Sequence, residues 1–308
     1  MKKLAALALA SLILAALASC AGTPYGTPSA SEPAPTPAQS EPAPPEVWAP
    51  EDFPRLDGST ATIPLAEALA AAFLGIDRAD ASRYAEFSGT SGAFTALMYG
   101  GTADLLLAYE PPAETLREAT EQTEMTAIGR DALVFLVNAS NPVESLTSEQ
   151  IKKIYAGEIT NWKDVGGEDM EIVPFQRNYS SGSQTLMTKL VMGETPMAEP
   201  PSDYVIGEMG GLVDTIASYD NGRAAIGYNV YYYVSRMKLD ENVKLLPVDG
   251  VSPSNDTIGR GEYPFVNDFF AVIRRDEPED SPARLVYDWM RGEQGRLLLE
   301  REGYIPAG

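Results

Sequence analysis

Three stretches place hydroxyl side chains and glycine at the start of a helical pattern: Gly58-Ser59-Thr60, Gly89-Thr90-Ser91-Gly92 and Ser181-Gly182-Ser183-Gln184-Thr185. That grouping is what an oxyanion needs. The first N–H groups of a helix have no intrahelical partner, the helix dipole favours negative charge there, and glycine lets the backbone approach a ligand closely. Taken singly, each stretch is as well explained by ordinary capping, because Ser and Thr are preferred N-cap residues. The third carries more, since Arg177 lies four residues before Ser181 and can present a bidentate fork to the same anion. The competing explanation for Arg177 is a solvated surface cation or a salt bridge. A charge-assisted hydrogen bond contributes about 1.5–3 kcal/mol and a helix start up to about 1 kcal/mol, so a few together reach micromolar binding after association costs.

Composition removes most rival chemistries. The 308 residues include no histidine, and the single cysteine is Cys20. Ser-His and Cys-His nucleophiles, His-ligated metals, disulfides and Cys-rich zinc sites are therefore excluded together. Asp249, Asp256, Glu262 and Asp268 lack the compact spacing of a calcium loop, so neither a metal nor a cofactor is expected. Serines and one candidate arginine without a general base beside them point to binding rather than catalysis. Lys plus Arg number 23 against 44 Asp plus Glu, a net charge of −21, and such a surface repels nucleic acid. Tyr231, Tyr232 and Tyr233 could form a stacking platform for sugars or bases, but strand alternation puts at most two on one face, which favours packing.

From about Phe53 onward, short apolar runs alternate with helical patterns, which predicts an α/β chain with largely parallel sheets. Ala61-Thr62-Ile63 leads into a helix bearing Pro64, Leu65, Leu69 and Phe73, with proline suited to the first turn. Glu86-Phe87-Ser88 precedes the second hydroxyl stretch and a helix with Phe94, Leu97 and Met98. Asp104 to Ala108 reads as a buried strand ending before Pro111-Pro112. Ala132–Asn138 is the strongest strand, broken by Asn141-Pro142, where a crossing between domains is expected. Ser148–Tyr155 is an amphipathic helix, Ile172 to Arg177 a strand aimed at the third hydroxyl stretch, and Gln184–Met192 a helix. Ala224–Val234 reads as strand and connection, Phe269–Ile273 as a strand and Ser281–Glu302 as a closing helix.

Lys2 and Lys3 before the apolar run Leu4 to Ser19 have the form of a secretory signal, too short for a comfortable membrane span. The run ends in Leu17-Ala18-Ser19-Cys20, which resembles a bacterial lipobox and implies cleavage before a lipidated Cys20; the alternative is an ordinary signal with a chance cysteine. Ala21 to Pro50 carries nine prolines among Ala, Ser, Thr and Glu, so it reads as an extended tether. At about 3 Å per residue such a tether reaches roughly 90 Å from a bilayer.

The folded part, from about Asp57 to the C-terminus, resembles the phosphate-binding proteins of bacterial ABC phosphate importers. The three hydroxyl stretches with Pro64-Leu65 and Arg177 carry the resemblance. So do the series Ile151, Ile154, Tyr155, Gly157, Ile159, Asn161, Trp162, the stretch Ile226-Gly227-Tyr228, and Gly303-Tyr304-Ile305-Pro306. It implies a two-lobed periplasmic-binding-protein-like α/β fold, each lobe a mostly parallel sheet flanked by helices, with the ligand in the cleft between them. It divides the chain into a signal peptide at 1–19, a lipidated cysteine and tether at 20–52, a first lobe of 53–137 plus 240–308, and a second lobe at 138–239. Carried over by motif, Ser59, Thr60 and Ala61 donate to phosphate from the first lobe, joined by Thr90 and Ser91, while Arg177, Ser181, Gly182 and Ser183 close from the second.

The chain departs from the family pattern after Asp104. The resemblance implies an aspartate at the end of that strand, accepting the proton of monohydrogen phosphate, but an ungapped match puts Tyr109 there with Glu110 beside it. A carboxylate acceptor would select a protonated oxyanion and a tyrosine would not. Glu110 serves if the strand shifts by one; otherwise it is a surface carboxylate before a Pro-Pro turn. The expected protein is thus an extracytoplasmic, lipid-anchored, monomeric receptor that delivers inorganic phosphate to ABC permease subunits. The alternatives are a receptor for sulfate, molybdate or tungstate, and a sensory lipoprotein on the same fold.

Overall fold

A computed structural model describes residues 46–218, 222–238 and 240–308. The signal segment, Cys20 and the tether up to residue 45 lie outside the described residues. Near the start of the described residues, Trp48 N–H donates to Phe73 O at 2.8 Å and its ring meets Phe73 edge-on at 4.9 Å.

In chain order the first elements are β1 (Leu56–Gly58), α1 (Ile63–Leu74), α2 (Arg78–Ala81), α3 (Thr90–Thr95), β2 (Leu105–Tyr109), α4 (Ala113–Gln122) and β3 (Thr123–Asn138). Then come α5 (Ser148–Tyr155), β4 (Val173–Pro174), β5 (Gln176–Arg177), α6 (Gly182–Leu186), β6 (Val205–Ile206), α7 (Met209–Ala217) and β7 (Ala225–Val230). The chain closes with β8 (Val243–Leu245), α8 (Asn255–Gly259), β9 (Val266–Arg274), α9 (Pro282–Arg291), α10 (Glu293–Arg301) and β10 (Ile305–Pro306). Both α3 and α6 continue as wider π-turns, to Gly100 and Met192.

The helices form where the sequence spacing places apolar residues. In α1, Leu65, Leu69 and Phe73 recur every fourth residue and are buried, Pro64 occupies the first turn, and Gly75 ends the helix at φ 61°. A reciprocal cap between Thr147 and Gln150 opens α5. The hydroxyl stretch before α1 belongs to a short 3-10 turn, Thr60–Thr62, and the strand that feeds it is Leu56–Gly58 rather than Ala61-Thr62-Ile63. Residues 86–88 are not a strand, and the closing helix is broken in two at Gly292.

β3 is the backbone of the architecture. Residues 123–132 pair antiparallel with β9, up to Ala132 opposite Val266; from Leu133 opposite Val230 the same strand pairs with β7, and Leu136 also faces Leu245 of β8. On the first side the order continues β9-β2-β1, and on the second β7-β4. β5 and β6 pair separately, Arg177 opposite Ile206.

The expectation of mostly parallel sheets needs correction. β1 with β2, β4 with β7 and β5 with β6 are parallel, but β3 is antiparallel to every strand it touches, and so is β9. The physical reason is insertion. β2 and β3 do run in the same direction, joined through α4, but β9 returns from late in the chain and lies between them in the opposite sense. Alternating patterns reveal the direction of sequential strands and not a later strand that separates them.

Candidate functional site

The two sheet regions meet at a cavity of about 610 Å³. On the first side, the end of β1 is held against β2: Ser59 N–H donates to Leu107 O at 3.0 Å, and Tyr109 N–H donates to Ser59 Oγ at 3.0 Å. Thr62 Oγ1 fixes the turn that follows, 2.8 Å from Ser59 O and 2.6 Å from Leu107 O. Ser59 Oγ and Thr90 Oγ1 are 2.7 Å apart. Only one proton is used between them, so one hydroxyl of the pair keeps a proton for a ligand.

Asp57, which sequence reading passed over, positions the second hydroxyl stretch. Its carboxylate accepts from Gly58 N–H and Ser88 N–H, both at 2.7 Å, and from Ser88 Oγ at 2.6 Å. The chain then turns through Gly89, at φ 82°, into α3. That backbone conformation is open to glycine and strained for other residues, and it delivers the free N–H groups of the α3 start to the cavity.

From the second side, Ser181 caps α6, accepting from Gln184 N–H at 3.2 Å, and leaves the N–H groups of Gly182 and Ser183 without intrahelical carbonyls. Gly182 lies so close to the first side that a Cβ there would stand 2.7 Å from Thr90 Oγ1. Arg177 is only 6% exposed. Its backbone N–H reaches Tyr228 Oη at 3.0 Å and Gln184 Oε1 at 3.2 Å; Tyr228 Oη in turn donates to Gln184. The guanidinium donates through Nε to Ile206 O and through Nη2 to Gly207 O, both at 2.9 Å, while Nη1 is buried without a partner. Burial pulls the Arg177 pKa below its usual value, against the weaker opposing pull of Tyr228, Tyr233 and the Glu208 carboxylate, which does not close to an ion pair.

Of the residues expected from sequence, Ser59, Thr60, Thr90, Tyr109, Arg177, Ser181, Gly182 and Ser183 line this one cavity. Ala61, Ser91 and Glu110 do not. Ala61 is fully buried behind the turn, its carbonyl accepting from Tyr304 Oη at 2.8 Å. Ser91 Oγ donates to the carbonyl of the lining residue Ser180 at 2.9 Å, a contact between the two sides. Glu110 pairs with Lys189 at 2.5 Å beside a separate surface hollow.

Tyr109 reaches the cavity wall, but its hydroxyl donates to Asp131 Oδ2 at 2.6 Å. Asp131 is 2% exposed and also accepts from the N–H of Ala132 at 2.8 Å and of Tyr232 at 3.1 Å. Burial raises its pKa to about 6 against the pull of those donors. Tyr232, from the tyrosine cluster, stacks on Tyr304 at 3.6 Å, a packing role; Tyr233 instead lines the cavity.

Sequence reading also missed the start of α7. Gly207, Glu208, Met209 and Gly210 line the cavity and bring another set of unpaired helical N–H groups to it. The signal was present as Gly207-x-x-Gly210-Gly211 before an apolar run. Asn178 was missed as well; it lines the cavity, and its Oδ1 is buried without a partner.

A family model described as the PBP superfamily domain matches residues 37–291. A phosphate-binding protein PstS from Borreliella burgdorferi is 23% identical over 198 residues, spanning 62% of this chain and 68% of that protein. A phosphate-binding protein PstS from Bacillus subtilis is 28% identical over 57% of this chain and 56% of its own length, so the match leaves out nearly half of that relative. Among solved structures, a Clostridium perfringens protein described as a phosphate ABC transporter substrate-binding protein with bound phosphate aligns at a TM-score of 0.65 and 25% identity. That alignment covers 82% of this chain and 98% of the other.

Proposed function

The chain belongs to the PBP superfamily, and from that premise we propose that it is an extracytoplasmic solute-binding protein, not an enzyme, that captures inorganic phosphate for ABC-type import. The observation that carries this reading is Arg177: a buried cation with no ion-pair partner among the described residues and one nitrogen left over. A buried charge without compensation is unfavourable, and an anion in the cavity supplies what is missing. One hydroxyl of the Ser59–Thr90 pair and one of the Ser181–Ser183 pair, with the helix starts at 60, 90, 182 and 209, supply further donors from both sides. Because the donors are divided between two sheet regions, the ligand favours the conformation in which the regions are together, and that form is the one a permease recognises. The relatives described above are phosphate-binding proteins, which agrees with phosphate as the cargo.

The acceptor side favours a second reading, a receptor for sulfate, molybdate or tungstate. Tyr109 spends its hydroxyl on Asp131 and Glu110 turns to Lys189, so the strand end offers no carboxylate to a protonated oxyanion. Lys2, Lys3, the apolar run and Cys20 support anchoring to the outer face of a membrane through a diacylated cysteine. The deciding experiment is calorimetric titration of anion-stripped protein with phosphate, sulfate and molybdate. Micromolar phosphate binding not displaced by sulfate upholds the phosphate reading, binding of sulfate or molybdate alone transfers the site to that anion, and silence toward all three removes both.

A further inference from the structure

The same cavity has features that inorganic phosphate leaves unused. Its volume is about 610 Å³ even though Ser91 reaches Ser180 and Gly182 lies against Thr90 across the mouth. A five-atom oxyanion displaces on the order of three waters, about 90 Å³ at roughly 30 Å³ each, whereas cavities of this size ordinarily hold organic ligands. The lining is not uniformly polar: Phe87, Met209, Val230 and Tyr233 belong to it, and Phe87 and Tyr233 are only half-buried.

The proton arithmetic points the same way. Inorganic phosphate keeps at least one O–H at neutral pH and needs an acceptor for it. A phosphate monoester, with its second pKa near 6, is mostly a dianion at pH 7 whose three terminal oxygens only accept. The Arg177 end of the cavity is rich in donors. The Asp57 and Asp131 carboxylates are each satisfied by three protein donors, and Glu110 is paired outside. Glu208, the carboxylate that does line the cavity, is exposed at the start of α7. Asn178 Oδ1 is a neutral acceptor, and its amide can turn to donate instead, which suits an oxyanion with or without a proton.

We infer that this site accepts a phosphate monoester, with the phosphoryl oxygens at Arg177 and the organic substituent against the half-buried rings of Phe87 and Tyr233. The inference rests on the oxyanion reading of the site and widens its substrate class.

The test is calorimetric titration of the chain from residue 20 onward, carrying Cys20→Ser and stripped of anion, with inorganic phosphate, sn-glycerol 3-phosphate and phenyl phosphate. The expected result is that at least one organic probe binds within about tenfold of phosphate, and that Tyr233→Ala shifts the ratio of phenyl phosphate to phosphate affinity about tenfold toward phosphate. Phosphate binding with both organic probes more than about tenfold weaker overturns the inference and leaves the phosphate reading standing. Organic probes binding without inorganic phosphate uphold the inference and replace the cargo. No binding by any of the three overturns both. The wild-type titrations decide the matter even if the Tyr233 variant does not fold.

Discussion

Two buried charges, Asp131 and Arg177, stand near the same cavity and differ in what their neighbours leave them. Asp131 lies where β3 changes partners, and Tyr109 Oη and the N–H groups of Ala132 and Tyr232 surround its carboxylate. Arg177 lies beside β6, and two carbonyls take two of its nitrogens while the third is idle. A buried charge with all its bonds made is a joint, and one with a bond to spare is a receptor. The contrast also reassigns Tyr109: sequence matching directs it at the ligand, while its hydroxyl belongs to the joint.

The largest expected effect comes from breaking the joint. Asp131→Ala leaves three buried donors unpaired at about 1–3 kcal/mol each, on the order of 4 kcal/mol in total. For a domain of this size that lowers Tm by about 10 °C, read by differential scanning calorimetry, and the fraction that stays folded should still gain stability from phosphate. A loss of phosphate response at unchanged Tm would show that Asp131 is a ligand group after all.

The same carboxylate predicts a pH dependence of nearly that size. Its folded pKa of about 6 lies above the unfolded value near 3.8. In that interval the folded state holds more protons than the unfolded one, so the stabilisation from this group is complete below about pH 4 and is lost as pH rises through 6. The shift corresponds to at most about 3 kcal/mol. Asp131→Asn does not titrate, so the stability of the wild type relative to that variant should fall between pH 4 and 6 and then level off in denaturant melts. A difference independent of pH would mean the carboxyl is not held above its ordinary range.

Arg177 gives the next effect, and it appears in binding. Removing one charge-assisted bond, about 1.5–3 kcal/mol, weakens phosphate roughly ten- to hundredfold in Arg177→Ala. Arg177→Lys restores the charge without the fork and should recover part of that. Phosphate at about 100 times Kd should stabilise the wild type by about 2.7 kcal/mol and the alanine variant far less. Equal thermal shifts in both proteins would remove Arg177 from the site.

How much of this was legible follows from the same distinction between local and long-range information. Ser59, Thr90, Arg177 and Ser181 were visible because each lies in a short stretch whose chemistry is local: a turn, a glycine, a helix start. The bounds of α5 were readable for the same reason, as its cap residues Thr147 and Gln150 are three apart. β9 between β2 and β3 was not, because nothing in residues 105–138 reports a strand at 266–274. Asp131 was missed because its partners lie 22 and 101 residues away, apart from its own neighbour. Glu110 was misplaced in one of its two readings because the lysine that claims it is 79 residues on.

That last pair gives the smallest prediction. Lys189 sits on the π-turn continuing α6 and Glu110 follows β2, so their contact joins the two sides beside the cavity. The lysine side chain is 54% exposed and the glutamate 18%, and pairs of this kind contribute about 0.2–1 kcal/mol, less at high salt. Glu110→Gln should therefore weaken phosphate by less than about fivefold, and more at low ionic strength than at high. If closure is what the pair assists, sulfate or molybdate affinity should fall by the same factor, leaving selectivity unchanged. If Glu110 instead swings in to accept the ligand proton, the variant should lose phosphate selectively, and the ratio of phosphate to sulfate affinity should drop by tenfold or more. Measuring that ratio separates a contact that holds the two sides together from one that reads the anion.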